Sequence, residues 1–187
     1  SDNPQTIEGI ALGRKLFYEP LLSNDGTQAC ASCHLAEYSF SDSNRFSTGI
    51  NGEMGTRNAM PIVNLAWNFQ NNFLWDGNAS SLEEQVDDPI ENPLEMNNTW
   101  PNVVATLQAT SDYPNLFEQA FGTAIITRES VVRAIAQFER TLISGNSRFD
   151  QYLLGDSNAI TLEEKNGFNI FMDENRGDCF HCHGNEF

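Results

Sequence analysis

Apolar residues recur along much of the chain at the spacing of α-helices. The clearest stretch is residues 128–144, where Val131, Ile135, Phe138 and Leu142 lie three or four positions apart and therefore share one helical face. Three more helices are predicted between Pro4 and Pro20, near 101–109 and near 113–121.

Two capping boxes predict where two further helices begin. Residues 80–84 place serines three positions before glutamates, so that each side chain can bond the backbone N–H of the other. The helix that follows is expected to stop near Pro89. Residues 161–164 form the second capping box, and the helix they open is predicted to turn Phe168 and Phe171 inward.

The rest of the pattern favours loops over strands. Residues 39–64 are rich in Ser, Asn and Gly and predict a long loop. The alternation typical of β-strands is absent over any useful length, apart from a short piece at 124–127. The predicted fold class is therefore all-α, with a domain boundary near residues 145–146, where a strong helix gives way to polar sequence.

Composition narrows the class of protein. The chain has 187 residues, of which 40% are hydrophobic, and no apolar run approaches the roughly 20 residues of a membrane span. The net charge of −16 repels nucleic acid and mainly favours solubility, although it also suits a basic protein partner. Polar residues 1–4 are expected to be a mature or trimmed N-terminus without a signal peptide.

All four cysteines and all three histidines lie in two five-residue windows. Residues 30–34 read CASCH and residues 179–183 read CFHCH, the spacing of c-type haem attachment. Two thiols three positions apart reach both vinyl groups of one porphyrin, and the adjacent histidine supplies an imidazole to the iron. The predicted haem-binding residues are Cys30, Cys33 and His34 for one haem and Cys179, Cys182 and His183 for the other.

Other uses of these cysteine pairs fit the chain less well. The pairs lie about 150 residues apart, too far for a zinc ribbon, and a thioredoxin-like pair needs a βαβ setting. A disulfide between cysteines so close in sequence is strained. His181 lies inside the second motif and is expected to be a surface residue. Covalent haem predicts maturation outside the cytoplasm, in the periplasm.

A series of short motifs follows the order found in bacterial di-haem cytochrome c peroxidases, which share a superfamily with MauG-type enzymes. The chain resembles this family over nearly its whole length, and the set is specific although each piece alone is weak. The matching segments are 12–17 (LGRKLF), 22–23 (LS), 57–61 (RNAMP), 73–77 (FLWDG), 84–85 (EQ), 95–96 (EM), 138–142 (FERTL) and 147–150 (SRFD), together with both CxxCH motifs.

The resemblance implies two cytochrome c-like helical domains, each built around a covalent haem. Residues 1–145 would form the N-terminal peroxidatic domain, and 146–187 the start of a C-terminal electron-transfer domain. The sequence ends four residues after the second motif, too few to build the far wall of a haem pocket. Either the polypeptide is a fragment or that haem is unusually open. The family also has a calcium ion near the domain junction, and Asn58 matches one of its ligands, although an isolated Asn more often serves a turn.

Carried over by matching motif, Gln85 and Glu95 would face peroxide above the first haem, and Pro89 would shape the pocket. A carboxylate close to the iron can take one proton from peroxide and deliver it to the leaving oxygen. An amide can orient the bound peroxide. Trp75 resembles the family tryptophan that lies between the haems as an electron relay, although a single Trp is more often a buried core residue.

One position departs from many family members. Aligning residues 57–58 places Ile50 where those members have a distal histidine, which blocks the first haem until the other haem is reduced. Isoleucine has no lone pair for iron, so the first haem is expected to be open in the oxidised state. Met54, and less readily Met60, would be the substitute ligands.

Three functions fit these features. The leading one is an enzyme that reduces hydrogen peroxide to water with electrons from a small redox protein, such as a cytochrome c or a cupredoxin. The second is MauG-like oxidation of a protein or organic substrate, and the third is a non-catalytic electron carrier. Gln85, Glu95 and the missing distal histidine argue against a carrier. A homodimer is also compatible with the resemblance.

Overall fold

The computed structural model describes residues 2–68, 70 and 72–183. Within these residues the regular structure consists of α-helices and short 3₁₀ turns, and the only β-pairing is three isolated bridges. The prediction of an all-α fold is confirmed. None of the described helices is both long and apolar enough to cross a bilayer. The helices are α1 (Ile7–Phe17), α2 (Leu82–Glu91), α3 (Trp100–Ala109), α4 (Tyr113–Phe121), α5 (Arg128–Glu139), α6 (Arg148–Leu153), α7 (Leu162–Met172) and α8 (Phe180–His183).

The chain divides into two compact units, Ser1–Ile143 and Ser144–Phe187. The first unit holds α1 to α5 and the first CxxCH motif. The second unit holds α6 to α8 and the second motif. The assignment of a peroxidatic role to residues 1–145 and an electron-transfer role to 146–187 stays a prediction.

The first unit is organised by the packing of α1 on α5. Leu12, Leu16 and Phe17 of α1 are buried in one core with Val131 and Ile135 of α5. Helix α1 begins after Thr6, whose hydroxyl accepts a hydrogen bond from Gly9 N.

The two helices approach closely at Gly13. A Cβ atom at this position would lie 1.9 Å from the carbonyl oxygen of Ala134 on α5. The absence of a side chain at Gly13 therefore sets the distance between α1 and α5.

Helix α2 does not stop at Pro89, as the sequence predicted, but runs through it to Glu91. Proline lacks the N–H that would bond the carbonyl of Gln85, yet its fixed φ is helical. One more turn therefore follows, and it is closed by Asn92 N donating to Asp88 O at 3.0 Å.

Helix α5 ends at Glu139, five residues before its predicted end. Thr141 explains the early stop. Its hydroxyl and its N–H both donate to the carbonyl of Phe138, at 2.6 and 2.8 Å. Such side-chain bonds compete with the helical ladder and turn the chain out of the helix.

The short strand predicted at 124–127 does not form in the described structure. Instead, the side-chain amide of Gln108 makes two hydrogen bonds to the backbone of this segment. It donates to Ala124 O at 3.1 Å and accepts from Ile126 N at 2.9 Å. One side chain thus takes the place of a neighbouring strand.

The second unit is small and has little buried core. The predicted capping box at 161–164 is confirmed, with Thr161 and Glu164 bonding each other's backbone. Phe168 packs edge-on against Phe149 of α6, with ring centroids 5.0 Å apart. Phe168 and Phe171 are only half-buried.

Glu139, the last residue of α5, is a buried acid in the first unit. Its carboxyl is 4% exposed, and its Oε2 has no hydrogen-bond partner. Burial raises the pKa of Glu139 to about 8, with Arg140 opposing the rise and Glu83 adding to it. The carboxyl is therefore neutral in the folded protein at pH 7.

We expect Gly13→Ala to lower the free energy of unfolding by about 1–3 kcal/mol, because the added methyl group forces α1 away from Ala134. Denaturant unfolding followed by circular dichroism measures this change. Ala11→Ser on the exposed face of α1 is the control and should stay within about 0.5 kcal/mol of the parent. An equal loss in the control would contradict the proposed close contact.

We expect the free energy of unfolding of Glu139→Gln, relative to that of the parent, to increase with pH. The increase should run from about pH 4.3, the ordinary pKa of glutamate, to about pH 8. In this window the folded state holds a proton on Glu139 that the unfolded state has released. Stability is therefore lost with rising pH, by up to about 1.4 kcal/mol per pH unit. Glutamine carries no such proton. A constant stability difference between variant and parent from pH 5 to 8 would refute the raised pKa.

Candidate functional site

The first unit contains a cavity of about 500 Å³ that brings together most of the predicted site residues. This volume lies in the usual range for cofactor pockets. Cys33 and His34 of the first CxxCH motif line it, together with the predicted Trp75, Gln85, Pro89 and Glu95.

The first motif begins with a 3₁₀ turn, Cys30–Ser32. The turn is held by Ser32, whose hydroxyl accepts from Ala29 N at 3.1 Å. His34 N and Cys33 N both donate to the carbonyl of Cys30. Neither Cys30 nor Cys33 is in a disulfide; Cys33 lines the cavity, whereas Cys30 packs against the core.

The imidazole of His34 is oriented by the backbone. Its Nδ1 lies 2.9 Å from the carbonyl oxygen of Phe40, and donation from Nδ1 leaves Nε2 as the nitrogen for iron. Burial lowers the pKa of His34, although hydrogen bonds to the backbones of Phe40 and Met60 oppose the change. A neutral imidazole with a fixed tautomer is the form that binds a metal.

The carbonyl of Phe40 is presented by an unusual turn. Ser39 and Phe40 have φ values of 58° and 56°, in the left-handed region that disfavours residues with a side chain. Phe40 nevertheless packs on the core, with its ring 6.1 Å from that of Phe17. The orientation of His34 and the cavity are compatible with a haem at the first motif, and covalent attachment stays a prediction.

The cavity changes the pKa of one of its acids, Glu95. Burial, and then the negative charge of Asp88, raise the pKa of Glu95 above its ordinary value. Asn92 Nδ2 donates to Glu95 Oε1 at 2.8 Å and opposes part of this rise. The carboxyl can therefore exchange a proton closer to neutral pH than an exposed glutamate can.

Helix α2 presents Gln85 and Pro89 to the cavity from one face, because residues four positions apart share a face. Since Pro89 has no N–H, the carbonyl of Gln85 lacks its helical donor. Two further cavity residues, Asp88 and Asn92, were missed in the sequence. Asp88 follows from its helical spacing with Gln85, whereas no local signal marks Asn92.

Trp75 is not a buried core residue. It is 59% exposed, and its indole Nε1 donates to the carbonyl of Asn58 at 2.8 Å. The preceding Leu74 has a φ of 66°, and an ion pair of 2.7 Å joins Arg57 to Asp76. The hydrogen bond to Asn58 and the ion pair of Asp76 thus hold Trp75 at the cavity.

Asn58 organises the loop around it. Its Nδ2 donates to the carbonyls of Asp42 and Asn44, at 3.2 and 2.6 Å, and its Oδ1 accepts from Ser41. Within the described residues no group of three or more His, Cys, Asp or Glu side chains could hold a metal. The calcium role of Asn58 stays a prediction.

Ile50 does not line the cavity, although its backbone N–H donates to Glu95 O at 3.0 Å. His34 is the only histidine among the described residues that line it. The sequence ranked Met54 ahead of Met60 as a substitute ligand. In the structure Met60 lines the cavity, whereas Met54 is 64% exposed.

The second motif begins just before α8, with Cys179 preceding the helix and Cys182 on it, and both cysteines are exposed. His181 is exposed and its Nδ1 contacts the carboxylate of Asp178, which agrees with a surface position. His183 is the last residue described. Covalent haem attachment at this motif stays a prediction.

Comparisons with known proteins identify the relatives of this chain. The family model described as di-haem cytochrome c peroxidase matches residues 7–158. The chain is 38% identical over 181 residues to the methylamine utilization protein MauG of Methylophilus methylotrophus, covering 97% of this chain and 53% of that protein. It is 35% identical over 182 residues to the cytochrome c peroxidase Ccp of Escherichia coli K12, covering 97% and 38%.

Among solved structures, a MauG-like protein associated with microbial copper homeostasis matches with a TM-score of 0.87 and 35% identity, over 98% of this chain and 53% of that one. The chain thus spans about half the length of several relatives that it matches. The family model covers most of the chain, including the first CxxCH motif and the residues around its cavity. The chain therefore belongs to the di-haem cytochrome c peroxidase family.

Proposed function

We propose that the protein reduces hydrogen peroxide to water at the cavity of the first unit. The observation that carries this proposal is the buried carboxyl of Glu95 in the same cavity as Cys33 and His34. The reaction takes two electrons and two protons and yields two water molecules. The electrons would come from a small redox protein, such as a cytochrome c or a cupredoxin, in the periplasm.

Cys30, Cys33 and His34 would hold the first haem, and Cys179, Cys182 and His183 the second. The first haem, when bound, supplies an iron centre that can bind peroxide and accept electrons. The protein contributes a fixed imidazole tautomer, through the bond from His34 Nδ1 to Phe40 O, and a cavity lined by Glu95, Gln85 and Pro89.

Glu95 would move the protons. As a carboxylate it takes a proton from one oxygen of peroxide, and as a carboxylic acid it delivers that proton to the other oxygen, which leaves as water when the O–O bond breaks. Its raised pKa suits the donor role, because the carboxyl keeps its proton to higher pH than an exposed glutamate does. Asn92 holds one carboxyl oxygen at 2.8 Å and leaves the other for the substrate.

Gln85 and Pro89 would complete the pocket. The Gln85 amide can donate to one oxygen of peroxide and stabilise charge that develops as the O–O bond breaks. Pro89 adds a rigid apolar wall. Trp75, exposed beside this cavity, would relay electrons, and Asn58, which binds its indole N–H through the backbone, would set its position. A calcium ion near Asn58 and a homodimer also belong to this proposal.

MauG-like oxidation of a protein or organic substrate is the second candidate. The relatives named MauG favour it, with 38% identity in Methylophilus methylotrophus. The exposed indole of Trp75 would then carry electrons from the substrate rather than from a donor protein. Steady peroxide consumption with a reduced donor cytochrome separates the two functions, because only a peroxidase turns over continuously with that donor.

We expect Glu95→Gln to lower peroxide turnover by about a hundredfold or more while haem content stays normal, because glutamine cannot carry the proton. In the parent, turnover should fall as pH drops through the raised pKa of Glu95, since the carboxylate that accepts the first proton is lost there. Stopped-flow and steady-state assays across pH measure both effects.

The control for this variant is Glu53→Gln, which changes an exposed carboxylate away from the cavity and should leave both rate and pH profile unchanged. Unaltered turnover in Glu95→Gln would make Glu95 an ordinary loop carboxylate. The same rate loss in both variants would point to a general charge effect.

We expect the oxidised protein to react with peroxide without prior reduction, because no histidine besides His34 is among the described residues that line the cavity. Electron paramagnetic resonance of the haem-loaded protein should show a high-spin ferric signal that cyanide removes. Met60→Leu tests the one methionine at the cavity and should leave that signal unchanged. Two low-spin haems, with activity only after reduction, would overturn the expectation.

A further inference from the structure

A small hairpin, residues 47–55, forms part of the cavity wall. It is closed by Gly49 N donating to Glu53 O and Gly55 N donating to Ser47 O, both at 2.9 Å. Two side chains outside the hairpin anchor its first strand. Gln28 Nε2 donates to Thr48 O at 2.6 Å, and Ser47 donates to Asp42 Oδ2 at 2.7 Å.

The turn of this hairpin rests on the backbone of Leu94 and Glu95. Ile50 N donates to Glu95 O at 3.0 Å. Gly49 lies so close that a Cβ atom there would be 2.2 Å from Leu94 O and 3.0 Å from Glu95 N. Gly49 does not have a positive φ, so the turn itself does not need glycine. Its missing side chain serves the contact with Leu94 and Glu95.

We infer that Gly49 is a positioning residue for Glu95: the close contact of its backbone with residues 94–95 holds the Glu95 carboxyl at the depth in the cavity where it exchanges protons. This inference rests on the proposed peroxide reduction. Hairpin 47–55 is then a fixed support for the site. It has no need to move, because Ile50 has no lone pair with which to block the iron.

Two contacts hold the Glu95 segment from different directions. On the side of α2, Asn92 accepts from Glu95 N at 3.0 Å through its carbonyl and donates to the carboxyl through its amide. On the other side, the hairpin contributes the bond from Ile50 and the contact at Gly49. A methyl group at Gly49 cannot fit against the Leu94 carbonyl, so one of the two backbones must move. The carboxyl of Glu95 is then displaced from its position in the cavity and becomes more exposed to water.

The test is a double-mutant cycle on the haem-loaded protein with hydrogen peroxide as substrate. Gly49→Ala should lower kcat/KM by about ten- to a hundredfold, as for other displacements of roughly 1 Å at a reacting group. It should also move the low-pH limb of the rate profile to lower pH. In the Glu95→Gln background the same substitution should change the rate by less than about twofold, because its effect runs through Glu95.

Asn51→Ala is the control in the same hairpin. Asn51 is exposed and does not line the cavity, so rate and pH profile should match the parent. An equal loss from Gly49→Ala in both backgrounds would overturn the inference, as would a loss of the same size in Asn51→Ala or no loss in Gly49→Ala.

A readout without turnover separates this inference from the proposed function. The infrared band of the protonated Glu95 carboxyl, identified by its loss in Glu95→Gln, gives the pKa directly. Gly49→Ala should lower that pKa, even if the parent does not reduce peroxide. Should Gly49→Ala not fold with haem, Ile50→Pro removes the N–H that bonds Glu95 O and carries the same expectations. An unchanged carboxyl pKa in the folded variant rejects the role of the hairpin.

Discussion

The close packing of α1 on α5 supports the rest of the first unit. Because Gly13 has no side chain, the backbones of the two helices approach until the Ala134 carbonyl occupies the space of a Cβ atom. The core formed there holds Phe17, whose ring packs on that of Phe40. The carbonyl of Phe40 in turn orients His34. A helix–helix contact is thus linked through two aromatic rings to the imidazole of the haem-binding motif.

Helix α5 also positions the face of α2 that lines the cavity. Just beyond the end of α5, Arg140 makes two hydrogen bonds to the carboxylate of Glu83, at 2.8 and 2.9 Å. Although burial raises it, bonds from Arg140 and Asn3 hold the pKa of Glu83 below its ordinary value. Paired and partly buried, this ion pair fixes the first turn of α2. Gln85 and Pro89 follow on that helix within two turns, so their direction into the cavity depends on α5.

The features that the sequence predicted depend on interactions between residues close together in the chain. The attachment spacing identified Cys30, Cys33 and His34, and periodicity and capping located most helices, because these signals act within a few residues. Contacts between distant segments were not predictable in this way. The bonds of Asn92 to Glu95 and of Ile50 to Glu95 need the folded chain, and the early end of α5 depends on one hydroxyl, that of Thr141. Only the resemblance to a family singled out Glu95, since nothing in its neighbouring sequence foretells burial.

The turn at Ser39 and Phe40 shows a conflict between backbone and side chain. A glycine at either position would adopt the left-handed conformation freely, whereas each present residue costs on the order of 1–3 kcal/mol there. Yet glycine at position 40 would delete the ring that packs on Phe17. The turn therefore carries backbone strain in exchange for a rigid link between core and imidazole. Loosening this turn would let the imidazole of His34 rotate while the described helices keep their places, because the strained residue Phe40 supplies the carbonyl that fixes the direction of that imidazole.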